Sequence, residues 1–133
     1  MKHDTFIGQV QERARLDSRG AAEAATRATL ETLTERIPSD LADDLAAQLP
    51  QEIGEHVRRV TTAVDTEDVQ RFGQREFISR VSERAHTDEP KSAHLARVVF
   101  EVLDEASTGG VMGKVRQSLP EDLRRLTTAG STG

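Results

Sequence analysis

The side chains able to do chemistry here are four histidines, fifteen arginines, three lysines and 23 aspartates and glutamates; none of the 133 residues is cysteine. Disulfides, thiolate metal sites and thiol catalysis are therefore excluded from the chain itself. Glu83 and His86 stand at the Glu-x-x-His spacing that puts a carboxylate and an imidazole on one helix face, as in di-iron bundles. Such a centre needs a second Glu-x-x-His, and the segment that repeats this one carries Arg15 in place of the imidazole. The pair reads as a solvated helix end, and no metal or other cofactor is predicted. Glu52, Glu55 and His56 read the same way, since no second imidazole lies near them in sequence.

Residues 109–114 (GGVMGK) resemble a phosphate loop only briefly. Gly109 and Gly113 enclose three residues where a Walker motif needs four, Val115 follows Lys114 where Ser or Thr is required, and no strand pattern precedes them. A turn is the better reading. His94 sits in the most apolar stretch of the chain and is expected to be a partly buried, hydrogen-bonded histidine and the best pH-sensitive candidate. No nucleophile, acid or oxyanion donor is placed beside it by any motif, so no catalytic residue is assigned. The remaining charged constellation is a recurring one: Glu12-Arg13 with Glu83-Arg84, Arg27 and Glu31 with Arg97 and Glu101, and Glu35 with Glu105. The plainer reading is a salt-bridged surface. The sharper one is a groove between two halves lined by Arg27, Glu31, Arg97, Glu101 and His94.

The elements that would hold these residues come in two copies. RATLETL (27–33) followed by QLPQEI (48–53) returns as RVVFEVL (97–103) and SLPEDL (118–123), and FIGQVQERA (6–14) returns as FISRVSERA (77–85). The offset is 71 early and 70 later, with one residue lost in a loop. This predicts one duplicated domain over residues 4–126: a first half 4–64, a connector 65–73, a second half 74–126, and a disordered tail 127–133. Neither half is large enough for an independent core, so the two should fold as one unit.

Helical periodicity runs throughout, and no stretch alternates as a strand would. Phe6, Ile7, Val10 and Ala14 share one face; Asp4 or Thr5 is the expected cap of that helix, and Asp17 or Ser18 that of the next, which buries Ala22, Ala25, Leu30, Leu33 and Ile37. Pro38 ends it; Ser39 or Asp40 is expected to cap a short helix with Leu41, Leu45 and Leu49 inward. Pro50 and Pro120 read as first helical residues. Where the first copy has Ala25, Ala28, Thr29 and Thr32, the second has Leu95, Val98, Val99 and Val102. A helix apolar on two faces is normally buried on both. It is expected to be the central helix or to supply a dimer seam. The fold class is all-α, about eight helices in two homologous halves, arranged as a bundle or a short solenoid-like array.

The two-copy pattern F-[IV]-x-x-V-x-E-R, R-x-x-[LF]-E-x-L and late L-P-x-[ED]-[IL] resembles a family of small prokaryotic proteins catalogued as domain of unknown function 2267. The resemblance covers residues 4–126 and implies the fold; it brings no reaction, cofactor or catalytic residue. A net charge of −5, with the bases dispersed among acids, argues against a nucleic-acid partner. Charged residues near Met1 and only short apolar runs predict neither a signal peptide nor a membrane span, and a cytoplasmic protein. The sequence therefore favours a non-enzymatic helical module that binds a protein partner or itself, as a homodimer for instance, through Leu95, Val98, Val99 and Val102. The alternative is a small-molecule-binding or weakly catalytic bundle that uses the Arg/Glu groove.

Overall fold

A computed structural model of the protein describes residues 1–63 and 71–128. Among them are eight helices and no strand: α1 (His3–Ala14), α2 (Arg19–Arg36), α3 (Ser39–Gln48), α4 (Gln51–Ala63), α5 (Gln74–Ala85), α6 (Glu89–Ala106), α7 (Val111–Gln117) and α8 (Glu121–Thr128). None of the described helices is long and apolar enough to cross a membrane.

Two long helices, α2 and α6, lie against each other at the centre. α1 packs on both, and so does α5; α4 covers α2, α8 covers α6, and α3 meets α7. The apolar circumference of α6 is the domain's own interior: Leu95 is 3% exposed and Val98, Val99 and Val102 are fully buried. With α1, α2, α5 and α8 packed around it, α6 takes the role of central helix. As a docking surface its four apolar residues are therefore not available, which corrects that expectation. Phe6, Phe77 and Phe100 are fully buried too, with the Phe77 and Phe100 rings 6.2 Å apart.

α2 is as enclosed as α6 despite its threonines. Thr26, Thr32 and Thr34 turn their hydroxyls back onto the carbonyls of Ala22, Ala28 and Leu30 at 2.9, 2.8 and 2.7 Å, so burial leaves them satisfied. Ser18 caps α2 by accepting the Ala21 N–H, and Asp88 caps α6 by accepting that of Lys91. Four other helix starts differ from expectation. α1 opens at His3 with Lys2 as its cap, and Asp4 falls in the first turn, where a carboxylate suits the helix dipole. Pro38 is the cap of α3, with Ser39 already helical. Pro50 and Pro120 lie one residue before α4 and α8, their carbonyls accepting from Gly54 and Arg124 at 2.9 Å.

α1 and α5 end alike. Arg15 (φ 56°) and His86 (φ 55°) turn left-handed, and the N–H of the next residue reaches back to Gln11 and Ser82 in Schellman fashion. Gly54 allows the tightest approach: a Cβ there would stand 2.9 Å from the Ala46 carbonyl oxygen, so α4 lies directly on the backbone of α3. Residues 65–70 of the expected connector, and 129–133 of the expected tail, lie outside the described residues. The rest of each is ordered into the fold. Phe72 lies under the Arg80 guanidinium, 4.0 Å from its ring centre, and Thr127 is buried within α8.

Candidate functional site

The recurring charges pair between helices that are distant in the chain. Arg13 of α1 meets Glu105 at 2.6 Å and Glu101 at 3.4 Å, both on α6. Arg84 of α5 takes both oxygens of Glu35 at 2.7 and 2.8 Å, donates to the Thr32 hydroxyl at 2.7 Å and reaches Glu31 at 3.9 Å, all on α2. Arg13 thus clamps α1 to two glutamates of α6, and Arg84 clamps α5 to two glutamates of α2. Burial works against the Glu35 carboxylate, but Arg84 and Arg80 outweigh it and hold its pKa below the ordinary value. Hydrogen bonding to Arg13 does the same for Glu105.

The five residues expected to line one groove are therefore divided. Glu31 of α2 belongs to the clamp made by Arg84 of α5, and Glu101 of α6 to the clamp made by Arg13 of α1. Arg97 and His94 are half-buried on α6, and the Arg97 Nε is enclosed with no hydrogen-bond partner. Arg27 is exposed and lines a cleft elsewhere.

That cleft, about 400 Å³, is walled by His3 of α1, Gly20, Glu23, Ala24 and Arg27 of α2, and Glu52 and His56 of α4. His3 is the hub. Its Nε2 is 3.3 Å from Glu23 Oε1, and its Nδ1 is 3.6 Å from both Glu52 Oε2 and Asp4 Oδ1. Arg19 pairs with Asp4, holding that carboxyl below its usual range, and its Nε lies 3.9 Å from Glu23. On the opposite wall Arg59 contacts His56 Nδ1; with the guanidinium donating there, the ring proton belongs on Nε2. Burial, then the Arg59 and Arg27 charges, push the His56 pKa down to about 4, so this imidazole is neutral near pH 7. Among the described residues Arg27 has no hydrogen-bond or ion-pair partner.

The sequence reading separated Glu52 and His56 from any second imidazole; the fold supplies His3 from the start of α1. Glu55 goes elsewhere, to Arg58 at 3.1 Å. A signal for the cleft was present where the two similar stretches of sequence differ. At the repeat offset, His3, Glu23 and His56 correspond to Gln74, Ala93 and Leu126. Leu126 is 1% exposed, and Gln74 donates from its backbone and side-chain nitrogens to Asp122 at 2.9 Å.

The remaining motifs are structural. Gly109 and Gly110 (φ 69° and 75°) make a left-handed turn into α7, and Gln48 of α3 accepts both the backbone N–H and the hydroxyl of Thr108 beside it. This turn ties the start of α7 to α3. Glu83 and His86 are exposed at the end of α5.

Curated proteins give no match to this chain. Over residues 3–126, nearly its whole length and the span that carries both the clamps and the cleft, it matches the family described as "Uncharacterized conserved protein (DUF2267)", and it belongs to that family.

Proposed function

We propose that the protein is a non-enzymatic helical module that binds a small polar ligand in the cleft between α1, α2 and α4. The observation that carries this reading is Arg27: an exposed guanidinium with no hydrogen-bond or ion-pair partner among the described residues, on the wall of a concavity whose other walls bring two imidazoles and two carboxylates together. Sites of this kind are concave and hold a few convergent polar groups. We read the chain as two copies of one ancestral unit over residues 4–126. The residues both copies keep, Arg13 and Arg84 with their glutamates, fasten the halves together. Those that only the first copy has, His3, Glu23 and His56, line the cleft. Function then resides in one half, and the second, with Ala93 and Leu126 in the corresponding places, serves as its support.

Self-association through α6 has lost its motive, because the apolar face it relied on is interior. The test is a titration of the isotope-labelled chain with a panel of small charged metabolites, following the imidazole signals of His3 and His56. Saturable shifts of both, abolished in Arg27→Gln with the fold intact, are expected. If no compound of the panel moves either ring, the cleft is not a binding site.

A further inference from the structure

The charges of the cleft are unevenly occupied. The His3 ring stands between Glu23 and Glu52, 3.3 Å from the one and 3.6 Å from the other, and Arg19 pairs with Asp4 and reaches Glu23 at 3.9 Å. Each carboxylate there is already engaged, so none of them is open to a ligand cation. The remaining charge of the lining is Arg27, exposed and without a hydrogen-bond or ion-pair partner among the described residues. Glu23 precedes it in the i,i+4 order that commonly closes into a helix ion pair, but the Glu23 carboxylate is with His3 and Arg19 instead. His56 feels the uncompensated charge. After burial, the Arg59 and Arg27 guanidiniums are what keep its imidazole neutral, outweighing the opposite pull of Glu23.

We propose that the cleft binds a small carboxylate, held by the Arg27 guanidinium with the His56 Nε2–H as a second donor; this rests on the reading of the cleft as a binding site. A guanidinium presents a planar fork that matches a carboxylate with two parallel hydrogen bonds. His56 lines the same cavity, and with Arg59 on its Nδ1 the neutral ring has its one proton on Nε2 to give. A ligand anion supplies the negative charge that both guanidiniums lack near this ring. One charge suits the site better than two. Glu23 and Glu52 wall the same cavity, so a second negative charge on the ligand would be set against them.

The probe is acetate, titrated into the full chain at pH 7 with ionic strength held constant by chloride, while the Arg27 side-chain and His56 ring signals are followed. Inorganic phosphate and methylammonium are the comparisons. Saturable movement of both signals by acetate is expected, with phosphate weaker and methylammonium without effect. Loss of a charge-assisted contact corresponds to a weakening of about tenfold or more, which is the deficit expected for Arg27→Gln, read at His56. Arg27→Lys should lose less, because it keeps the charge and gives up only the fork. His56→Leu, read at Arg27, should bind acetate less tightly than the parent. Acetate binding unchanged in Arg27→Gln overturns the proposal, and phosphate binding more tightly than acetate overturns the carboxylate as its ligand. Methylammonium binding in place of acetate puts the ligand among the carboxylates and overturns it as well. If none of the three moves either signal this proposal falls, while the reading of the cleft as a binding site is decided separately by the wider panel.

Discussion

Thr29 differs from the other buried threonines of α2. It is fully buried in α2, and its hydroxyl has no partner, unlike those of Thr26, Thr32 and Thr34. At the repeat offset stands Val99, which carries no such group. Thr29→Val should therefore stabilise the fold by about 1 kcal/mol, read as a higher denaturant midpoint at unchanged slope; a lower midpoint would mean the hydroxyl is satisfied after all. The same comparison explains what was legible at this scale. Charges that recur in both copies were visible as a set, but their partners were not, because Arg13 lies 88 residues from Glu101 and no local rule links them. The cleft was hidden for the same reason: His3 and His56 belong to different helices, and only packing against α2 brings them together.

At the scale of helices the sequence spoke more plainly, since apolar spacing of 3.6 residues records which face is buried whatever the partner. Val10, Leu33, Leu45, Val57, Val81 and Leu103 are all interior as that spacing requires. It could not tell a central helix from one with an exposed apolar face, because periodicity marks what is covered and is silent on what covers it. Nor could it foresee that α2 would be enclosed as completely as α6, since threonine hides its polarity only once its hydroxyl has bonded to its own helix. Val99→Glu separates the two readings of α6. In a fully buried position a carboxylate has neither water nor a partner, a loss of several kcal/mol that a domain of marginal stability cannot absorb. The expected result is loss of the cooperative unfolding transition; a folded variant with a smaller solution mass than the parent would instead mean that this face joins two chains.

The whole molecule is held by two clamps of unequal strength. Glu35 is only 14% exposed, whereas Glu105 is 53% exposed. Removing Arg84 leaves a largely enclosed carboxylate short of its main partner, so Arg84→Met should cost about 2–3 kcal/mol, and Arg13→Met less than about 1, as exposed pairs do. Chemical denaturation of both variants measures the contrast, and equal losses would contradict it. Acid should act in two stages, the first in the cleft and the second at the Arg84 clamp. His56 titrates near 4 in the fold against 6.5 ordinarily, so between those values the unfolded chain binds more protons and stability falls as pH drops. Glu35 is also depressed; its contribution is complete above its ordinary value of 4.5 and is lost as pH falls through its lower folded value. His56→Gln should therefore flatten the upper stage and leave the lower, while Glu35→Gln should reduce the acid loss below about 4.5 and leave the upper stage in place. Stability measured from pH 7 to 3 on the three chains decides it. A parent whose stability is level down to pH 4.5 would show that the His56 ring is solvated and that the wall between Arg27 and Arg59 stands open.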